Sequence, residues 1–160
     1  MRKTWIFPVV AVAVLALVGT SVLAASQYRS RPLDRQNLGV IVGPRTTRAT
    51  DFAPLAGWGP SDSMHVDARG GIAATISVTV SGGPVEFHLF LEDADDDWAI
   101  EPMRPNASAF DPGAGAASTS FTFVRAVPPG DYTVNIAWRS VSGSQVTVES
   151  GSLVVQYGAA

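Results

Sequence analysis

Residues 121–139 read FTFVRAVPPGDYTVNIAWR, and this stretch decides the fold class. Two runs flank a Pro128-Pro129-Gly130-Asp131 turn, built from residues that interrupt strands and reverse a chain. In the second run Tyr132, Val134, Ile136 and Trp138 fall on one face, and Thr133, Asn135, Ala137 and Arg139 on the other. A period of two marks a half-buried strand, because successive side chains of an extended backbone point to opposite sides. The two runs read as a hairpin. Tyr132 and Trp138 carry polar tips on large apolar bodies, which suits core positions near the edge of a sheet.

The same alternation extends in both directions. Upstream, Ile76, Val78 and Val80 oppose Thr75, Ser77 and Thr79. Gly82-Gly83-Pro84 then leads into a run with Val85, Phe87, Leu89 and Leu91 on one face and Glu86, His88, Phe90 and Glu92 on the other. A Gly-Gly pair between two alternating runs is a hairpin signal. Ser63–Arg69 alternates more weakly, with Met64 and Val66 against His65 and Asp67, and Leu38–Val42 reads as the first strand. Downstream, Gln145–Glu149 and Leu153–Tyr157 read as two further strands separated by a Ser150-Gly151 turn, completing an up-and-down series. Strands with one polar face pair antiparallel, since parallel sheets are covered on both faces. The expected fold is therefore all-β: an antiparallel β-sandwich, immunoglobulin-like or jelly-roll.

Two segments resist a regular reading. Phe52–Pro60 is too rich in Pro and Gly for an element, and Phe52, Leu55 and Trp58 are expected to plug the open end of the sandwich. Met103–Ser120 reads as a long loop, of the kind that borders recognition surfaces.

The amino terminus has a different character. Arg2 and Lys3 precede an apolar run from Trp5 that ends in Val22-Leu23-Ala24-Ala25. Basic, apolar and small residues in that order match a secretory signal, or a retained anchor helix, since residues 5–25 approach the ~20 needed to span a bilayer. Either way the domain is placed outside the cytoplasm. The expected division is residues 1–25 as signal or anchor, 26–36 as a polar Arg-rich linker and 37–160 as the sandwich. Residues 25–48 carry a balance of +4 and residues 49–160 one of -9, so a basic lead-in precedes an acidic domain.

Composition narrows the chemistry. The 160-residue chain has no cysteine, which removes disulfides, thiolate metal sites and a cysteine nucleophile. It has no Gly-x-Ser-x-Gly elbow, phosphate-binding glycine loop or His-Glu-x-x-His helix. The acidic domain lacks a basic patch with aromatics, which disfavours nucleic acid as a partner. His65 and His88 stand on separate strands, so a metal shared between them and Glu86 is disfavoured. One cluster could carry a cation. Asp93, Asp95 and Asp97 alternate as in the opening of an EF-hand loop and are the candidate calcium ligands. Trp98 stands where that motif needs Gly, however, and Arg104 where it needs Glu. A solvated acidic loop suits the same residues. No catalytic or cofactor-binding residue is assigned, and no cofactor beyond calcium.

The string VPPGDYTVNIAWR, followed by a turn, a Thr-Val strand and LVVQY, resembles the closing strands of bacterial exported β-sandwich domains. It also resembles the end of the jelly rolls in complement globular heads and tumour-necrosis-factor-like proteins. Such families imply extracellular binding or assembly, often as trimers, and no family ligand-binding residue maps onto this chain. The expected function is non-catalytic: extracytoplasmic binding, adhesion or surface assembly, with a protein or glycan partner. A jelly-roll subunit that oligomerises is the alternative, and a carbohydrate-active enzyme stands behind both. Residues 5–25 hold the membrane if they are not cleaved.

Overall fold

The computed structural model describes residues 35–41, 44–55, 63–93 and 100–159. The signal or anchor segment, Trp58, Asp95 and Asp97 lie outside the described residues. Eleven strands run β1 (Arg35–Ile41), β2 (Arg45–Thr47), β3 (Ala53–Pro54), β4 (Met64–Val66), β5 (Gly70–Gly82), β6 (Val85–Asp93), β7 (Ile100–Pro102), β8 (Ser108–Phe110), β9 (Ala117–Val127), β10 (Gly130–Ser140) and β11 (Val146–Ala159). No described residue is helical.

Every pairing is antiparallel, in two sheets. Sheet A has the order β1-β11-β5-β9, with β2 also on β11; sheet B has the order β3-β10-β6-β7, with β4 also on β10 and β8 also on β6. Taking β1 with β2, β3 with β4 and β7 with β8, each pair sharing one neighbour, leaves eight stations along the chain. Their order is 1-8-3-6 in sheet A and 2-7-4-5 in sheet B. That is the order of a jelly roll, the double-sheet answer to unpaired edges. It excludes the immunoglobulin-like alternative.

The alternation read from the sequence holds and the hairpins do not. Ile72, Ala74, Ile76, Val78 and Val80 of β5 are buried, as are Val85, Phe87, Leu89 and Leu91 of β6. Yet β5 belongs to sheet A and β6 to sheet B. The Gly82-Gly83-Pro84 turn carries the chain across the sandwich. Gly82 has φ +97, and a Cβ there would meet the Gln145 carbonyl oxygen at 2.2 Å, so only glycine fits. The crossing is tied down by Gly83 N–H donating to the Gln145 carbonyl (3.2 Å) and Val141 N–H donating to the Pro84 carbonyl (3.0 Å).

The Phe121–Arg139 hairpin fails in the same way. β9 pairs with β5 in sheet A, and β10 pairs with β6 in sheet B. Pro128-Pro129 supplies a sheet-to-sheet arch, and the Tyr132 hydroxyl donates to the Pro128 carbonyl across it (3.0 Å). Period 2 reports which face of a strand is buried. It carries no information about the neighbouring strand. The final up-and-down series is corrected as well. The two expected strands are one, β11, with a bulge between Val148 and Ser150 where the Ser150-Gly151 turn was expected. A bulge absorbs one extra residue and bends the strand without ending it.

Part of the expected 103–120 loop is ordered by its neighbours. Ser108–Phe110 forms β8 against Val85–Phe87, β9 begins at Ala117, and Met103 is fully buried. β8 has too few residues to show a period, so its strand character comes from pairing alone. One core fills the space between the sheets, with Phe87, Leu89 and Trp138 from sheet B facing Phe123, Ile76 and Leu153 from sheet A. Each large side chain so buried contributes roughly 1.5–3 kcal/mol relative to an exposed position.

Candidate functional site

With the inner faces largely spent on the core, and Arg125 paired with Glu101 at the margin between the sheets, most polar side chains of the described strands lie on the two outer faces. On sheet B, Glu86 stands opposite Arg139, His88 opposite Ala137, Phe90 opposite Asn135 and Glu92 opposite Thr133. Arg139 places Nε and a terminal nitrogen on one oxygen of Glu86, at 2.7 and 2.6 Å. Its guanidinium lies 4.6 Å from the centre of the Phe52 ring, a cation–π distance. Phe52 in turn meets His88 edge-on at 5.4 Å, and Phe90 meets it at 6.1 Å in a similar T-shaped arrangement.

His88 is the unusual group in this cluster. Its Nε2 is out of contact with solvent and has no hydrogen-bond partner. Burial lowers its pKa below the ordinary 6.5, against the opposing pull of Glu86. Burial thus favours the neutral imidazole. Ala137 makes this seat possible: a methyl directly across the ladder leaves room for the ring, and Ala137 is itself only 7% exposed on an outward face.

His65 is far from this cluster. It pairs with Asp131 in the register of β4 and β10, six residues along β10 from the partner of His88, or about 20 Å in an extended strand. His65 Nδ1 lies 2.7 Å from Asp131 and its Nε2 lies 3.2 Å from Asp67. The structure therefore does not bring His65, His88 and Glu86 together. Asp93 ends β6 opposite Tyr132, while its proposed co-ligands Asp95 and Asp97 fall outside the described residues. Among the described residues no three His, Asp or Glu side chains are grouped to hold a metal ion. Phe52 also departs from expectation. Leu55 is buried, but Phe52 leans on the outside of sheet B and is 37% exposed.

The outer face of sheet A has a different chemistry. Across β5 and β9, Thr75 bonds Thr122 (2.9 Å), Ser77 bonds Ser120 (3.0 Å) and Thr79 bonds Ser118 (2.9 Å). On the other side of β5, Ser152 stands opposite Ser77 and Ser150 opposite Thr79. A shallow groove of about 300 Å³ runs over this part of the sheet, lined by Ser77, Thr79, Ser118, Ser150 and Ser152 among others. None of its lining residues is charged. Glu149, next in sequence to the lining residue Ser150, accepts a hydrogen bond from Ser81 (2.5 Å). Thr75, Ser77 and Thr79 are legible in the sequence as the polar side of a strand, whereas Ser118, Ser120 and Ser150 fall in segments read as loop or turn. Their union into one surface is not legible there, because it depends on β9 lying beside β5.

No family model matches the sequence, and no curated protein matches it. Among solved structures the chain is similar to an Eiger TNF from S. frugiperda, with a TM-score of 0.47 and 16% identity over 81% of this chain and 96% of that one. It is also similar to the globular domain of zebrafish complement 1qA protein, with a TM-score of 0.44 and 9% identity over 78% and 94% of the two chains. At this level the likeness carries no argument. The fold assignment stands on the strand pairing described above.

Proposed function

We propose that this chain is an exported, non-catalytic β-sandwich that works in binding, adhesion or surface assembly outside the cytoplasm, and that it binds through the outer face of sheet A. The observation that supports this reading is the uncharged hydroxyl surface centred on Ser77 and Thr79. Hydroxyls that already pair with one another keep spare acceptor lone pairs, so they can meet a hydroxyl-rich partner without desolvating a charge. A neutral glycan chain has that chemistry. The basic and apolar amino terminus supports export, and residues 5–25 hold the membrane in the uncleaved form.

Binding of neutral and anionic polysaccharides, measured by calorimetry, tests the reading. Neutral chains should bind, and Thr79→Arg and Ser152→Arg should abolish binding while leaving the melting temperature in place. Binding that survives both substitutions sinks the assignment of the face. Fusing residues 1–30 to alkaline phosphatase tests export, since that enzyme is active only where its disulfides form. Turnover of a glycan or ester, lost on acid-to-amide substitution, would replace the non-catalytic reading. A calcium ion on Asp93, Asp95 and Asp97 is a separate proposal. A melting temperature raised by millimolar calcium and restored by chelator would carry it, and an unmoved melt would remove it.

A further inference from the structure

We infer that the free edge of β9 is a self-complementary surface on which a second copy of this chain pairs, β9 against β9, to continue sheet A through a two-fold axis at Ser120. This goes beyond the glycan reading and does not depend on it.

β9 is the terminal strand of sheet A and is bonded along its whole length on one side by β5. On its other side, among the described residues, only Arg104 bonds its backbone, while farther along the Arg125 side chain reaches Glu101 and the Pro102 carbonyl of β7. Arg104 N–H donates to the Val124 carbonyl (2.9 Å), and Val124 N–H donates to the Arg104 carbonyl (2.7 Å). Both backbone groups of Val124 therefore point away from β5. In an antiparallel ladder this property alternates, so Ser118, Ser120 and Thr122 also aim N–H and C=O outward. Among the described residues none of these groups has a backbone partner on that side. Toward the described residues the edge therefore presents six unbonded groups in a row.

Edges of this length are ordinarily protected by lysine, proline or a covering segment. The stretch Ala117–Val124 holds no charge, no proline and no glycine. What it holds instead suits a copy of itself. A two-fold axis at Ser120 sets each Ser120 opposite the other and each Ser118 opposite the partner's Thr122. All six outward groups of one copy then meet all six of the other. Moving the axis by one residue leaves some of them unmet. The outward side chains meet as Ser–Ser and Ser–Thr, the same hydroxyl pairing that β9 already makes with β5. On the inner side the partner's Thr119 comes opposite Phe121, a ring that is only partly buried at this edge. The register also has a built-in end. Past Thr122 the slot beside Val124 is filled by Arg104, and the opposing β9 begins at Ala117, one residue short of that slot. An isologous pair of this kind closes on itself and does not propagate.

The chain has no cysteine, so a single introduced thiol reads the geometry directly. In the inferred dimer the two copies of residue 120 form a hydrogen-bonded pair with Cα atoms about 5.5 Å apart, inside disulfide range. The two copies of residue 124 are about 27 Å apart. Ser120→Cys in the full chain should therefore oxidise to a covalent dimer, and Val124→Cys, exposed on the same edge, should stay monomeric. Light scattering across the micromolar range should give twice the chain mass for the wild type and the single mass for Ser120→Pro. That substitution removes an outward N–H and leaves the β5 ladder intact. Ser120→Lys, which sets like charges face to face on the axis, gives a second route to the monomer. A wild-type monomer throughout that range overturns the inference. So does equal cross-linking at 120 and 124, or a dimer that survives both Ser120→Pro and Ser120→Lys.

Discussion

The two outer faces are built on the same ladder geometry and hold opposite chemistries. On sheet A, side chains in register are hydroxyls that satisfy each other, as Thr75 and Thr122 do. On sheet B the register sets Glu86 against Arg139 and leaves an imidazole in edge contact with two phenyl rings. Sheet A's face is open, and the groove over it is lined by uncharged residues. Sheet B's face is partly covered by Phe52 and contains His88, whose pKa burial lowers. A surface with no charge to desolvate suits broad contact with a neutral partner. A cluster with an unmet buried nitrogen makes its own stability conditional.

Four measurements press on this contrast. The largest effect lies in the core that both sheets share. Trp138→Ala from sheet B and Phe123→Ala from sheet A should each cost about 3–5 kcal/mol in denaturant unfolding, since both side chains are nearly fully buried. A loss below about 1 kcal/mol for either would mean that its sheet is not anchored to the core. Next comes the ion pair. Arg139→Met should cost about 1 kcal/mol, modest because both partners keep some solvent contact, and the loss should shrink in high salt.

The third measurement is pH. Because the pKa of His88 is lowered on folding, the unfolded chain takes up a proton that the folded chain refuses. This contribution is fully present above the ordinary value of 6.5 and declines as pH falls below it. It levels off once the folded imidazole itself titrates. Replacing His88 with Phe should remove that slope, and an unchanged slope would place its origin elsewhere. The smallest effect belongs to sheet A. The double change Thr75→Val with Thr122→Val removes both partners of one hydroxyl pair, leaves no orphan and keeps the β-branched shape. It should alter stability by less than about 0.5 kcal/mol. A large loss there would show that the hydroxyl rows hold the fold together.

Which parts were legible depends on the kind of information each required. The buried and exposed faces of β5, β6, β10 and β11 follow from side chains two residues apart, and Tyr132, Trp138, Leu89 and Val155 are inside as read. Short β8 and the ends around Met103 were not legible, because three residues show no period. Nor was the seat of His88, which needs Phe52 from one segment, Ala137 from another and Arg139 beside them.

By itself, then, the sequence determined an all-β domain with two-faced antiparallel strands, a cysteine-free core and a net acidic balance over residues 49–160. It did so through local alternation, which is a property of each strand alone. Only the tertiary structure decided that FTFVRAV and GDYTVNIAWR sit in different sheets, that Gly82-Gly83 crosses the sandwich, and that the order is a jelly roll. The reason is physical: a strand's period is written in its own residues, whereas its partner is chosen by hydrogen bonds and packing between segments as far apart as β1 and β11.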